Sequence, residues 1–451
     1  MFLNREKSVP DIWYIATKQR RKKQVIDKLD IRNYFKTEEA NLLEDLGKLV
    51  SIKSRSVERE QCEDALEFFL KRAADMGFET RMGSYRDVGT VTMGEGPETI
   101  GILVHVDVVP EGNVENWKTN PFKLVLKDGH LFGRGVVDDK GPAMASLYAM
   151  KYLKDKQIPL SKRIMLIVGT REEIVWEDMD HFKEEFELPD YGFSPDGAFP
   201  IFNRENGYMD VELIFTEPSL KGDEDIGGGS ATNSIPAKAH AKVNGKYLEY
   251  VGKNAHSSVP EMGLNAIALM CEDLAKKTDW GFAGFMAEYF PEKAYNSNLK
   301  FRMNDGSLRN DEETVMVPTI IRQEGQKITV SINVRNDFKL PAKSILDTLE
   351  DKRTEGKFDI HPIEILDSIW VDENLPWIRR MKDVLQDNGL PGECRFAPGC
   401  TYAKSIPNTV CFGPVFEGDY DCAHMDNEGQ SLEHYILSAE LYTQYLAGEM
   451  V

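Results

Sequence analysis

Four clusters of acidic or imidazole side chains in this chain could do chemistry together. The apolar run Ile100–Val104 delivers His105 and Asp107, and Asp138-Asp139 opens a helical pattern after a Gly/Asn/Pro-rich loop. Arg163–Gly169 is followed by Glu172-Glu173, and Tyr191–Phe193 by Ser-Pro-Asp196. A neutral imidazole ligates zinc or manganese, and a nearby carboxylate can hold its other nitrogen and set the tautomer. An acid at the mouth of the next helix could share the metal. Two consecutive glutamates diverge, so one can bind a cation while the other faces a water beside it. Each cluster also has an ordinary reading. His-x-Asp alone is a polar strand end, Glu-Glu at a helix start complements the macrodipole, and Asp196 after proline is a turn residue. Their recurrence on successive strand ends favours a shared site.

The elements that must position these groups read clearly. Behind Asp138, Ala143, Leu147, Met150 and Leu153 recur at helical spacing, with Pro142 suited to the first turn. Upstream, Glu39–Ile52 and Cys62–Met76 read as amphipathic helices, the second stopped by Gly77, and a strand follows near Val88–Met93. Alternation of strand and helix predicts an α/β domain, a mostly parallel sheet with helices on both faces and the site where the strands end. From Glu205 the composition changes. The segment 221–230 (KGDEDIGGGS) reads as a flexible loop. Beyond it, short strands (Ala237–Val243, Lys327–Asn333) mix with helices near Ala266–Lys276 and Ala342–Glu350, an α+β pattern. Residues 205–367 are therefore expected to form an inserted lid domain, with 1–204 and 368–451 together making the catalytic domain. There is no internal repeat.

At 451 residues the chain is too long for one ordinary core. A net charge of −20, from 55 basic and 75 acidic residues, argues against a nucleic-acid surface. The basic stretch KQRRKKQVIDKLDIR near the N-terminus reads as the solvated face of a leading helix. Six cysteines without a C-x-x-C pair suggest a reducing compartment. No apolar run approaches about 18 residues, and the N-terminus lacks the apolar centre of a signal peptide. The expectation is a cytoplasmic protein with neither nucleic-acid nor membrane partners.

The longer pattern HVDVVPEG…GRGVVDDKG, with AHMDNE near the C-terminus, resembles the metallopeptidases that include aminoacylase, carboxypeptidase G and bacterial dipeptidases of the PepV and Xaa-His type. The resemblance runs from about Glu39 to the end. It implies two adjacent divalent ions, one held by His105 and Asp196, the other by Glu173 and His424, with Asp138 bridging. Glu172 would be the general base acting on a water between the ions, and Asp107 would orient His105. Nitrogen and oxygen ligands without thiolate suit zinc, manganese or cobalt. In the lid, Asn233 (SATNSIP) and His256 (GKNAHSSVP) would polarise the scissile carbonyl, and Arg335 (INVRNDF) would hold the substrate's C-terminal carboxylate. The segment APGCTYAK resembles the family's GGGTYA, so Gly399 and Thr401 would approach the same carboxylate, with Cys400 replacing a glycine. The lid's length resembles that of the PepV type, whose active form is a monomer. The expected function is a metal-dependent dipeptidase acting on small peptides. The rivals are an N-acyl amino-acid deacylase and a non-catalytic binding relative. Only Arg171, where relatives carry Asp or Asn, points to the last, and pairing with a nearby acid would remove that objection.

Overall fold

The computed structural model of the protein describes residues 27–450 apart from 175, 304, 398–400, 420 and 421. A nine-stranded sheet carries the strand ends singled out above. Its order is Glu79–Met82, Val88–Met93, Arg163–Gly169, Thr99–His105, Tyr191–Ser194, Thr409–Cys411, Ile201–Glu205 and Ile369–Trp370, with Cys394–Ala397 pairing beside Ile201–Glu205. The central strands, those ending at Gly169, His105, Ser194 and Cys411, run parallel, whereas the flanks on either side include antiparallel pairs. Parallel order runs through the middle, where both faces are covered, and recurs where Cys394–Ala397 pairs with Ile201–Glu205. Ile100, Ile102, Val104, Ile164, Leu166 and Val168 join the main core on one face. Leu103, Met165 and Ile167 join Met179, Phe182 and Tyr402 on the other. A strand buried on both sides needs a continuous apolar run, and Ile100–Val104 is one.

The helix Lys140–Asp155 is buried nearly all round, packed against the helices Lys28–Ser51 and Leu432–Glu449. That position explains its small residues and brings its N-terminus, with Asp138 just before it, to the same sheet edge as His105. The first helix begins well before the expected Glu39. Asp27 caps it by accepting from the Leu29 and Asp30 amides, and Ile31 and Phe35 extend the buried stripe of Leu42, Leu46 and Leu49. Of the basic N-terminal stretch, residues 18–26 lie outside the described residues.

A second sheet of seven strands is antiparallel throughout, in the order Lys246–Val251, Lys238–Val243, Ile226–Gly228, Val315–Glu324, Lys327–Arg335, Tyr208–Thr216, Phe358–Leu366. The helices Ala266–Lys277, Gly281–Tyr289 and Ala342–Gly356 supply a separate core with it. The chain crosses between sheets twice. Glu205 pairs with Ile369 on the first, and Tyr208 with Leu366 on the second, so residues 206–207 and 367–368 are the links. Among the described residues no helix is long and apolar enough to cross a membrane.

Candidate metal centre and active site

Because the central strands are parallel, the segments following them converge on one edge. His105, the last residue of its strand, is fully buried. Its Nε2 lies 3.0 Å from Asp138 Oδ1 and 3.7 Å from Asp196 Oδ2. Across Asp138, the Oδ2 atom is 3.0 Å from His424 Nε2, which is 2.9 Å from Glu173 Oε2. Two groups of donors result, His105–Asp138–Asp196 and Asp138–Glu173–His424, each with its ligand atoms within 4.8 Å of one another. Asp138 belongs to both.

This donor set fits two divalent cations. His105 Nε2, Asp138 Oδ1 and Glu173 Oε1 are buried and make no hydrogen bond among the described residues, despite the 3.0 Å approach of the first two. Buried donors and acceptors left unpaired are costly unless a cation satisfies them. Three protein ligands per ion leave positions open, as a catalytic site requires and a structural one does not. The electrostatics agree. Burial opposes a charge on His105, yet Asp107, Asp138 and Asp196 outweigh it and raise its pKa well above the usual value. Hydrogen bonds donated to Asp138 and Glu173 raise His424 to about 11. Burial, then the Asp196 charge, push Glu172 well up. The cluster is a field of excess negative charge that demands positive charge between its members.

Asp107 is fully buried beneath this cluster. Its Oδ1 lies 3.3 Å from His105 Nδ1, which is also 3.1 Å from the Asp107 main-chain carbonyl. The same carboxylate accepts the Glu172 and Glu173 amides, both at 3.3 Å. One side chain therefore orients an imidazole and the Glu-Glu turn together. Asp139, to which the resemblance gives no role, is fully buried and accepts the His105 amide at 3.0 Å. Asp178 likewise holds the start of the Glu-Glu segment, accepting from the Thr170 and Arg171 amides and from Tyr402 Oη. Arg171 is engaged away from the carboxylate cluster, 3.0 Å from Glu177 and donating to the Ser56 carbonyl at 3.2 Å.

A cavity of ≈340 Å³ opens beside the cluster. Asp138, Glu172, Asp196 and His424 line one end, and Gly197, Ala198, Phe202, Ala397, Thr401, Cys411 and Val415 the rest. A groove of ≈440 Å³ between the helices Lys28–Ser51 and Arg59–Asp75 is larger, but it has no such donor set. Thr401 reaches the cavity wall with its hydroxyl donating to Glu205 Oε1 at 3.1 Å. Gly399 and Cys400 lie outside the described residues.

Asn233, His256 and Arg335 gather on the seven-stranded unit but do not line this cavity. Ser234 pairs with His256, and the Ser257 amide donates to the Asn233 carbonyl at 2.9 Å. His256 is exposed, and its pKa is lowered by partial burial and by the Arg335 charge. Arg335 is largely buried and has no ion-pair partner among the described residues. Its Nε donates to Asn333 Oδ1 at 3.4 Å and its guanidinium lies 4.5 Å from the Tyr208 ring centre. A guanidinium offers a planar fork of donors that matches a carboxylate. No sequence signal pointed to Tyr208 or Asn333.

A model of the peptidase family M20/M25/M40 matches residues 101–448. A putative dipeptidase, YtjP, of Bacillus subtilis is 30% identical over 394 residues, 79% of this chain and 84% of that one. The Beta-Ala-Xaa dipeptidase of Lactobacillus delbrueckii subsp. lactis is 28% identical over 465 aligned residues, 92% of this chain and 97% of that one. Among solved structures, an aminoacylhistidine dipeptidase from Vibrio alginolyticus shares the fold with a TM-score of 0.62 at 14% identity, covering 90% of this chain and 96% of its own. With the family match spanning most of its length and both halves of the candidate metal centre, this chain belongs to the peptidase family M20/M25/M40.

Proposed function

We propose that the protein is a metal-dependent dipeptidase that hydrolyses dipeptides with a free C-terminal carboxylate. The observation that carries the reading is the pair of donor groups sharing Asp138 at the mouth of a small cavity. His105 and Asp196 would hold one ion, Glu173 and His424 the other, and Asp138 both. Zinc and manganese suit these nitrogen and oxygen donors, as does cobalt. Bound there, two divalent ions lower the pKa of a water molecule and polarise the scissile carbonyl.

The side chains have separate tasks. Glu172 lines the cavity next to Asp138 and Asp196 without belonging to either donor group, so its carboxylate is free to accept the proton of the attacking water and pass it to the leaving amine. Asp107 orients His105 and the Glu-Glu turn. Residues 208–366 act as a lid on the two links at 206–207 and 367–368, the expected 205–367 without Glu205, which pairs in the first sheet. Its approach would bring Asn233 and His256 to the developing oxyanion and Arg335 to the substrate carboxylate, beside Thr401 and Gly399. A cavity of ≈340 Å³ closed by a lid suits a short peptide better than a long one. The active form is read as a monomer, because the lid of one chain supplies the whole trio, and as a cytoplasmic enzyme because its cysteines are few and include no C-x-x-C pair.

The test is hydrolysis of Leu-Leu, β-Ala-His, Ala-Ala-Ala and N-acetyl-Leu by chelator-stripped protein with zinc or manganese restored. Cleavage of the dipeptides alone, abolished in Glu172→Ala, is the expected result. Cleavage of N-acetyl-Leu alone would replace the dipeptidase reading with a deacylase. Two bound metals and no turnover on any substrate would refute catalysis on this class.

A further inference from the structure

Glu428 is fully buried, and its carboxylate is saturated by one short segment of chain. Oε2 accepts from Arg134 Nη1 at 2.7 Å and the Gly135 amide at 3.0 Å; Oε1 accepts from the Val137 amide at 2.8 Å and the Asp138 amide at 3.2 Å. The Glu428 carbonyl also accepts the Gly133 amide at 3.1 Å. Arg134 is equally buried and lies 5.3 Å from the Trp117 ring centre. Glu428 thus ties residues 133–138 to the loop that carries His424. The same loop is clasped a second time, by Asn427 accepting the Lys118 amide at 2.6 Å and Asp426 accepting from Asn116 at 2.8 Å. It needs holding. His424 and Asn427 have φ of 62° and 63°, the left-handed region that residues with a Cβ seldom adopt.

Asp138 and His424 are two of the three donors in the Asp138–Glu173–His424 group. In the other group only Asp138 is on a braced segment. His105 ends a sheet strand and Asp196 follows one, so neither depends on Glu428. We infer that Glu428 is a positioning residue that sets the separation of Asp138 and His424, and through it the affinity of the cation site they form with Glu173. The inference rests on the metal-dependent reading given above. A carboxylate can satisfy four donors with two oxygens. An amide in its place turns an NH2 group toward donors and satisfies one side only.

Isothermal titration of zinc, and separately manganese, into the chelator-stripped full chain tests this for wild type, Glu428→Gln and Arg134→Lys. Wild type is expected to bind two ions. Glu428→Gln is expected to keep one near wild-type affinity and to bind the other about 10- to 100-fold more weakly, the range typical when partners behind metal ligands are removed. Arg134→Lys retains the three amide bonds to Glu428 and is expected to shift the same step in the same direction by less. It also serves as the test if Glu428→Gln fails to fold, judged by circular dichroism. Unchanged affinity at both sites in a folded variant overturns the inference, and so does equal weakening of both. If wild type binds two ions but cleaves no dipeptide, the dipeptidase reading fails while this one is still decided by the titration.

Discussion

Asp107 offers the sharpest quantitative test, because one buried carboxylate serves three partners. Asp107→Ala would orphan the Glu172 and Glu173 amides, each now bonded at 3.3 Å. A buried amide left without an acceptor costs about 1–3 kcal/mol, so the two together cost about 2–6 kcal/mol, nearer the lower end for bonds this long. The imidazole suffers less. The Asp107 main-chain carbonyl remains 3.1 Å from His105 Nδ1 whatever the side chain, so the tautomer that leaves Nε2 unprotonated survives. The damage should therefore fall on the Glu-Glu turn. Asp107→Asn keeps one oxygen and can satisfy one amide, so about half the cost is expected. In assays of Leu-Leu hydrolysis at saturating manganese, kcat should fall about 10-fold for Asn and about 100-fold or more for Ala, at about 1.4 kcal/mol per tenfold. Equal losses for the two variants would show that the charge beside His105 matters and amide acceptance does not. An Ala variant within twofold of wild type would refute the whole account of Asp107.

Three further outcomes follow from the same structure. Chelation should abolish activity and lower Tm, and restoring zinc or manganese should return both; an ion at about 1,000 times its Kd adds about 4 kcal/mol by mass action, readable in a thermal melt. Arg335→Lys should raise KM for dipeptides at least 10-fold with little change in kcat, because an ammonium loses both the planar fork and the stack on Tyr208; a loss confined to kcat would contradict a carboxylate-binding role. Burial raises Glu205 from an ordinary 4.5 to about 7, so the unfolded chain gives up this proton first as pH rises. Its stability contribution is present below pH 4.5 and is lost as pH climbs through 7, by about 3 kcal/mol in all at about 1.36 kcal/mol per pKa unit. Urea unfolding at pH 5 and pH 8 should show this decline in wild type and a flatter profile in Glu205→Gln; identical profiles would remove Glu205 from the account.

Much of the candidate site is legible in the sequence. His105, Asp138, Glu172, Glu173 and Asp196 were legible because each stands just after a strand or before a helix, and such punctuation is written locally in apolar runs and glycines. His424 was different. A lone histidine in a polar loop says little, and it became a candidate only as the missing member of a recognised set. Apart from Asp107, the residues that support the site have no role that local pattern could assign, even Glu428, which stands in the AHMDNE stretch. Glu428 meets Arg134 and Asp138 across 294 and 290 positions, Asp178 meets Tyr402 across 224, and buried carboxylates of this kind look like solvated ones until the chain is folded around them. The lid trio marks the boundary between the two kinds of knowledge. Asn233 and His256 come together through the pairing of two short strands, and the charge of Arg335, at the end of a strand in the seven-stranded sheet, reaches His256. Where that sheet sits relative to the metal cluster depends on two short links between separate cores, and rotations about those links change few local interactions. Local pattern and propensity therefore determine the elements and the donors they present. Only the tertiary structure decides which buried charges pair across the chain, and whether the lid's groups stand at the cavity or away from it.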